Sequence, residues 1–431
     1  MSIQVGDDMK LTADQENAFN AFLSGKNLFI TGPGGTGKTS LIRYFIKSRK
    51  KHWNIGFTST TGISAILIGG CTIHSFLGIG LATGTTDELL KRIRQRPAIN
   101  KRWRSLRCLI IDEVSMLHPD LFEKIDILAR CIRQRKEPFG GIQLILTGDF
   151  LQIYPVKSKK FCFQTDSWKS CNFQVFYLRE NIRQEHDKEF QECLNRMRLG
   201  QVDDFVMRLL SIRQNASYKD LEIKPTHLFS LKHQTRQYNA KKFQKLIRSL
   251  PSTDCVRLYT SVVDVQDERV GGRLESIIKD LRVPHKLELA KGAQVILLAN
   301  IDTADGLANG SRGIVTRFDK IHGHPVVKFL NGVEVVIEPF PFEIEENGST
   351  TVVVTQIPLS LAYALTIHSS QGCTIDHAVI DLSNVFEYGQ AYVACSRVRC
   401  LENLYFRGDI DFSRIMAHPD AVKFYEELNI I

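Results

Sequence analysis

Within this 431-residue chain, Gly32-Pro33-Gly34-Gly35-Thr36-Gly37-Lys38-Thr39 fits G-x-x-x-x-G-K-[ST], a loop that holds phosphate. Its glycines permit backbone angles that other residues resist, so consecutive N–H groups can turn inward around phosphate oxygens. Lys38 brings a positive charge to the β- and γ-phosphates, and the Thr39 hydroxyl suits the shell of a Mg²⁺ ion. Further on, Asp112-Glu113 follows the apolar run Cys108-Leu109-Ile110-Ile111. The first acid would hold Mg²⁺, directly or through water, and the second would polarise an attacking water. Gln152 closes a third such stretch, Gly148-Asp149-Phe150-Leu151-Gln152. Together these are the parts that hydrolysis of a nucleoside triphosphate needs.

Each part must be delivered by the end of a strand. Leu28-Phe29-Ile30 reads as the buried strand before the loop, and Thr39 to Lys47 as the helix after it, its positive N-terminus facing the anion. A helix opens before them at Leu11 to Glu16, with Thr12 as N-cap and Asp14 and Gln15 in the first turn. Ile55 to Ser59 reads as a second strand, ending in the hydroxyl-rich run Thr58-Ser59-Thr60-Thr61-Gly62. Ser64 to Ile68 continues as a short helix, Thr72-Ile73-His74-Ser75-Phe76 follows, and Gly78 to Thr86 reads as loop. After the third strand, Cys108 to Ile111, come a helix from Pro119 to Arg133 and a strand from Ile142 to Thr147. Strands alternating with helices predict an α/β fold, a parallel sheet with helices on both faces and ligands at the carboxyl ends of the strands. Lys38, Asp112, Glu113 and Gln152 all lie just past strand ends, so they can share one site.

The second half is expected to begin near Phe176-Tyr177-Leu178, with a strand at Thr226 to Ser230 and a helix at Gln234 to Leu250. From about Arg257 to Val354 the pattern changes. Short β-rich runs (Ala293 to Ala299, Gly313 to Phe318, Val326 to Phe329, Val333 to Ile337, Thr350 to Thr355) alternate with the turn pairs Asn309-Gly310, Asn331-Gly332 and Asn347-Gly348. This is hairpin chemistry and predicts a small barrel. Helix–strand alternation resumes through Ala378 to Leu382, so the β-module reads as an insertion in a second α/β domain.

With 43% hydrophobic and 24% charged residues, the composition is that of a soluble globular protein. No apolar run is long enough to span a bilayer, and Met1 to Asp8 has no secretory signal pattern. Ten scattered cysteines with no C-x-x-C pair fit a reducing, intracellular setting rather than a zinc ribbon or disulfide framework. The net charge is +9. Lys91, Arg92, Arg94, Arg96, Lys101, Arg102, Arg104 and Arg107 surround Trp103 with no acid between them, which fits either a polyanionic partner or a solvated helix face.

Taken together, these motifs resemble the petite-integration-frequency family of DNA helicases, in superfamily 1 beside the RecD-like enzymes. The resemblance runs from Leu11 to about Leu404. It is most specific between His118 and Val156, where Pro138-Phe139-Gly140-Gly141-Ile142-Gln143 and Gly148-Asp149-Phe150-Leu151-Gln152-Ile153-Tyr154-Pro155-Val156 look like the family's link into helicase motif III. Gln15 matches the adenine-reading glutamine. Gly32, Gly34, Gly35, Thr36, Gly37, Lys38 and Thr39 fall in motif I, and Asp112-Glu113 is motif II. Asn181-Ile182-Arg183-Gln184 matches motif IV, Thr366-Ile367-His368-Ser369-Ser370-Gln371-Gly372 motif V, and Tyr392-Val393-Ala394-Cys395-Ser396-Arg397 motif VI. Ser369 stands where lysine is usual, and Cys395 where leucine is usual. Little chain flanks the motifs, so the extensions of larger relatives are not expected.

The resemblance implies two RecA-like domains, residues 1–175 (with a small wedge at about 77–100) and residues 176–256 with 355–431. An SH3-like β-barrel, residues 257–354, would be inserted in the second. It implies ATP and Mg²⁺ as cofactors, with single-stranded DNA and single/double-strand junctions as partners, alongside replication or repair proteins and no membrane. It also implies 5′-to-3′ movement that unwinds duplex or structured DNA in replication, repair or recombination. Arg183 and Arg397 would act as arginine fingers across an interdomain cleft that opens when the γ-phosphate is lost. Thr60, His74, Ser75, Phe76, His368, Ser370 and Gln371 are the candidates for DNA contact, their hydroxyls for phosphate and their planar rings for stacking. Phe76 and Tyr392 suit a core better than a stacking platform. A P-loop protein of another class would carry Asn-Lys-x-Asp for guanine or the Leu-Ser-Gly-Gly-Gln of transporters, and neither occurs. A catalytically silent binding module would have lost Lys38, Glu113 or Arg397, and all three are present.

Overall fold

In the computed structural model, the apolar runs of the first half become neighbouring strands of one parallel sheet. The structure describes residues 11–48, 54–60, 64–65, 68, 70–80, 82–155, 158, 160–221, 223–252, 255–266, 274, 283–299, 301–302, 307, 310–346 and 349–431. The expected Thr61-Gly62, Val156, Asn309 and Asn347-Gly348 lie outside them.

Strands β1 (Leu28–Thr31), β2 (Ile55–Ser59), β3 (Cys71–Thr72), β4 (Cys108–Asp112), β5 (Gln143–Thr147) and β6 (Gln174–Tyr177) lie in the order β3-β2-β4-β5-β1-β6. Every adjacent pair is parallel. β1, β4 and β5 are buried throughout, which is why they read as continuous apolar runs. Side chains alternate across β1. Leu28 and Ile30 join Phe22, Leu41, Phe45, Ile110 and Ile145 in one core. Phe29 points the other way, into a cluster with Phe150, Trp168 and Phe424. The helix Ala13–Leu23 opens with the expected Thr12 cap, closed into a capping box by Gln15. The helix Lys38–Ser48 follows the phosphate loop.

The Pro138-Phe139-Gly140-Gly141 stretch has a physical explanation. Phe139, Gly140 and Gly141 all have positive φ, and a Cβ on Gly140 would stand 2.7 Å from the Ala129 carbonyl oxygen. Buried Asp126 fixes the turn, accepting from the Phe139 N–H (2.6 Å), the Arg130 guanidinium through two bonds of 2.8 Å, and Ser167 Oγ (3.0 Å). The turn thereby starts β5 in register.

The chain divides into two units. One is formed mainly by Gly6–Ile182 with Ala417–Ile431, the other mainly by Arg183–Ile344 with Thr350–Met416. Two boundaries differ from the sequence reading. Residues 176–182 belong with the first unit, because β6 pairs with β1 and Leu178 lies in the same core. The last residues also return to the first unit, where the helix Pro419–Glu427 buries Tyr425 completely.

In the second unit, Thr226–Phe229 pairs in parallel with Ala364–Thr366 on one side and Ala378–Ile380 on the other, and Leu404–Phe406 extends the same sheet. Between them a five-stranded antiparallel sheet includes Gln294–Leu297, Arg312–Phe318, Pro325–Phe329 and Glu334–Val336. The expected Asn331-Gly332 turn joins the last two, with Gly332 at φ 87°. Phe243, on the helix Lys232–Ser249, packs into the core of this sheet beside Val295, Val315 and Val327.

Candidate active site

Chemistry-bearing residues gather where β1, β4, β5 and β2 end. Gly32 has φ 142°, and a Cβ there would lie 2.5 Å from the Leu178 carbonyl oxygen, so the loop can leave β1 only through glycine. Lys38 Nζ donates to the carbonyl oxygens of Gly32 and Pro33, each at 2.8 Å, which keeps the ammonium inside the loop. The other side of the loop is held by Asn181 Nδ2 on the Gly34 oxygen (3.2 Å) and by the Ile182 N–H on the Gly35 oxygen (3.0 Å). Thr36 anchors its own turn on Pro33. Gln15 is buried, its Oε1 accepting from the Thr12 N–H at 3.1 Å, with the amide nitrogen against Gly37. The predicted adenine-reading residue therefore stands next to the loop it should serve.

Asp112 is the hub. Its carboxylate accepts from Thr39 Oγ1 (3.2 Å), from the Glu113 N–H (2.9 Å) and from Thr147 Oγ1. Burial pushes its carboxyl above the usual range, opposed by the Thr147 and Glu113 hydrogen bonds and then by the charge of Lys38. A hard cation needs oxygen ligands and keeps several waters. Thr39 and Asp112 supply a hydroxyl and a carboxylate a hydrogen bond apart, so they fit an ion whose other ligands are phosphate and water. No group of three or more His, Cys, Asp or Glu able to hold a metal occurs among the described residues. Glu113 has left-handed backbone angles, φ 55° and ψ 45°. A non-glycine residue held there stores strain, and here it turns the acid away from the line of β4.

The third stretch is built around Asp149, whose carboxylate accepts from the Leu151 N–H (3.2 Å) and from Gln152 Nε2 (3.3 Å). Sequence reasoning gave Asp149 and Thr147 no role, because a carboxylate orienting a neighbour and a strand-end threonine leave no distinctive spacing.

The candidates for DNA contact divide. Thr60 donates through Oγ1 to the Glu113 carbonyl oxygen (3.0 Å) and lines a cleft of about 260 Å³ with His74, Met116, His118 and Lys124. Ser75 lies beside them on the short helix Ile73–Leu77. Phe76 is packed, its ring against Gly56 and under the Arg102 guanidinium, 5.0 Å from the centroid. In the second unit His368 is partly exposed, its Nε2 3.1 Å from Glu387 Oε2. Ser370 does not present its side chain: it is fully buried and its hydroxyl donates to the Ile367 carbonyl at 2.7 Å. Gln371 and Tyr392 are buried as well. The expectation of DNA contact through the Ser370 hydroxyl is thus corrected, since the motif's turn needs that hydroxyl to close.

Arg183 and Arg397 come together within the second unit. Arg183 donates to Thr374 Oγ1 (3.1 Å) and to the Ser396 oxygen (3.0 Å). Arg397 donates to the oxygens of Val393 (2.8 Å) and Ser370 (3.4 Å) and to Ser396 Oγ (2.7 Å). Burial, and then the neighbouring charge of Arg397, push Arg183 down to about 9, still charged at neutral pH.

A phosphate loop, a strand-end carboxylate pair and a parallel sheet define a P-loop nucleoside-triphosphatase. The family is narrower. A PIF1-like helicase family model matches residues 10–208, and a model of the DNA helicase Pif1 2B domain matches residues 274–318. The ATP-dependent DNA helicase PIF1 of Xenopus laevis is 37% identical across 97% of this chain, which spans 65% of that protein's length. The crystal structure of the Pif1 helicase from Candida albicans aligns with a TM-score of 0.81 at 34% identity, covering 98% of this chain and 100% of that one. Pif1 from Bacteroides sp, 29% identical over 98% of each chain, aligns with a TM-score of 0.81 in complex with ADP-AlF4 and 0.66 when bound to single-stranded DNA. The chain belongs to the PIF1-like helicase family.

Proposed function

We propose that this chain hydrolyses ATP to move along single-stranded DNA, 5′-to-3′, and to open duplex or structured DNA ahead of it during replication, repair or recombination. The Thr39–Asp112 hydrogen bond carries the hydrolytic part, because it joins the phosphate loop to the strand-end acids. In this reading the loop N–H groups and Lys38 hold the phosphates, Gln15 sits against the base, and Thr39 with Asp112 holds Mg²⁺. When bound, that ion neutralises charge on the phosphate oxygens. Glu113 Oε takes a proton from the attacking water, Gln152 orients that water, and Arg183 with Arg397 meets the charge on the transferring group.

Movement requires the hydrolytic residues to respond to DNA. The Thr60–Glu113 bond supplies a route, since a phosphate that engages the Thr60 hydroxyl competes for the contact that holds Glu113. Thr60, His74, Ser75 and His368 are the side chains offered to the strand, while Phe76, Ser370 and Gln371 support them. The antiparallel module within residues 257–354 is read as the SH3-like insertion of the second RecA-like domain. The test is strand separation on fork substrates bearing a single 5′ or 3′ tail. ATP-dependent opening of the 5′-tailed substrate alone supports the reading. Opening of the 3′-tailed substrate alone contradicts the polarity, and opening of neither contradicts the activity.

A further inference from the structure

Tyr425 arrives from the end of the chain, 276 positions from Asp149, and is fully buried in the phosphate-loop unit. Its hydroxyl meets three groups. It accepts from the Phe150 N–H (3.1 Å), lies 2.6 Å from Thr31 Oγ1, and donates to Asp149 Oδ1 (3.3 Å). With Thr31 donating, the one hydrogen and two acceptor sites of the phenol are all used. Both ends of this contact matter to the site. Thr31 is the last residue of β1, immediately before Gly32. Asp149 is the carboxylate on which Gln152 Nε2 rests. A run of hydrogen bonds therefore leads from Tyr425 through Asp149 to Gln152, with a side branch to the base of the phosphate loop.

The helix that carries Tyr425 is docked by other means. Phe424 stacks on Phe163 with centroids 4.1 Å apart and meets Phe150 edge-on at 5.6 Å. His418 Nδ1 caps the helix by accepting from the Asp420 N–H (3.2 Å), and Asp420 Oδ2 accepts from Gln164 Nε2 (3.0 Å). Packing and capping hold the helix, and the hydroxyl's hydrogen bond to Asp149 comes in addition to them.

We propose that Tyr425 is a positioning residue for the nucleotide reaction, fixing the Asp149 carboxylate and through it the Gln152 amide. This rests on the ATP-hydrolysing reading above. The experiment is single-turnover and steady-state ATP hydrolysis by the full chain, saturated with an oligo-dT strand, for the parent, Tyr425→Phe, Gln152→Ala and the double variant. Tyr425→Phe is expected to lower kcat about tenfold, with KM for ATP within about threefold and the thermal midpoint within a few degrees. In the Gln152→Ala background the same change should cost less than about twofold, because the group it orients is gone. Asp149→Asn gives a second route, since it replaces one of the two acceptor oxygens that take Leu151, Tyr425 and Gln152 by a donor, so Gln152 must give up its contact or turn its amide over, and the same kcat loss and non-additivity are expected. An unchanged kcat in Tyr425→Phe, or an equal loss in both backgrounds, would overturn the proposal while leaving the hydrolytic reading intact. A parent with no ATP turnover would overturn both.

Discussion

The two units hold their charged residues in opposite ways. In the first, Asp112 is wrapped by donors from three elements: Thr39 on the loop helix, Thr147 at the end of β5 and the Glu113 N–H. In the second, two guanidinium groups stand close enough that one depresses the other's pKa, and each rests on carbonyl and hydroxyl oxygens. A set of oxygens around a buried carboxylate suits a cation and its phosphates. A pair of crowded cations suits an anion. Each arrangement, the first suited to a cation and the second to an anion, is complete within its own unit.

Lys38→Ala should break the first half outright. ATP hydrolysis is expected to vanish, with oligo-dT affinity within a few-fold of the parent, as read by fluorescence anisotropy. Substantial turnover would show that the loop does not hold the phosphates. Arg397→Ala strikes the second half. It should retain nucleotide binding and lose DNA-stimulated turnover by about 10³-fold, the scale of an arginine finger. Because Arg397 also ties Val393, Ser370 and Ser396 together, a fall in thermal midpoint with turnover preserved would make it structural. Glu113→Gln keeps the side-chain shape and loses the base, so ATP should still bind while turnover falls by about 10²-fold or more.

A smaller effect separates the units by pH. His227 is buried against Tyr238, and burial, then Lys242 and Arg407, lower its pKa to about 3. The unfolded chain takes up this proton near pH 6.5, so the stabilisation is complete above that pH and is lost as pH falls toward 3. Between pH 6.5 and 5 the second unit should lose about 2 kcal/mol, read as a falling urea midpoint, and His227→Gln should flatten the dependence. The smallest effect concerns Ser369, which is half-buried and accepts from Thr366 Oγ1 at 2.7 Å. Ser369→Lys should make the slope of log K against log salt for oligo-dT more negative by about 0.7. An unchanged slope with a lowered melting temperature would mean that the position does not face DNA.

Much of the first unit was legible because each chemical motif sits at a strand end, and buried parallel strands announce themselves as apolar runs. Both boundary errors have one cause. Gln174–Tyr177 carries three apolar residues after a glutamine, as Gln294–Leu297 of the second half does, and nothing local says that it pairs with β1. The return of Pro419–Glu427 to the first unit is likewise a long-range event. Its local signal is clear, since His418-Pro419-Asp420 repeats His118-Pro119-Asp120, and each histidine caps its helix through Nδ1. That pattern marks a helix start and not its destination. The burial of Ser370 and the left-handed backbone at Glu113 are set by packing and turn closure, which hydroxyl and carboxylate spacing cannot reveal.

Hydrolysis at the phosphate loop is expected to be driven by a DNA strand. The most direct measurement is ATP turnover by the purified chain with and without oligo-dT, in parallel with Lys38→Ala. At least about tenfold stimulation by the strand is expected, with no turnover in the variant under either condition. Turnover indifferent to the strand, or surviving in Lys38→Ala, would contradict this expectation.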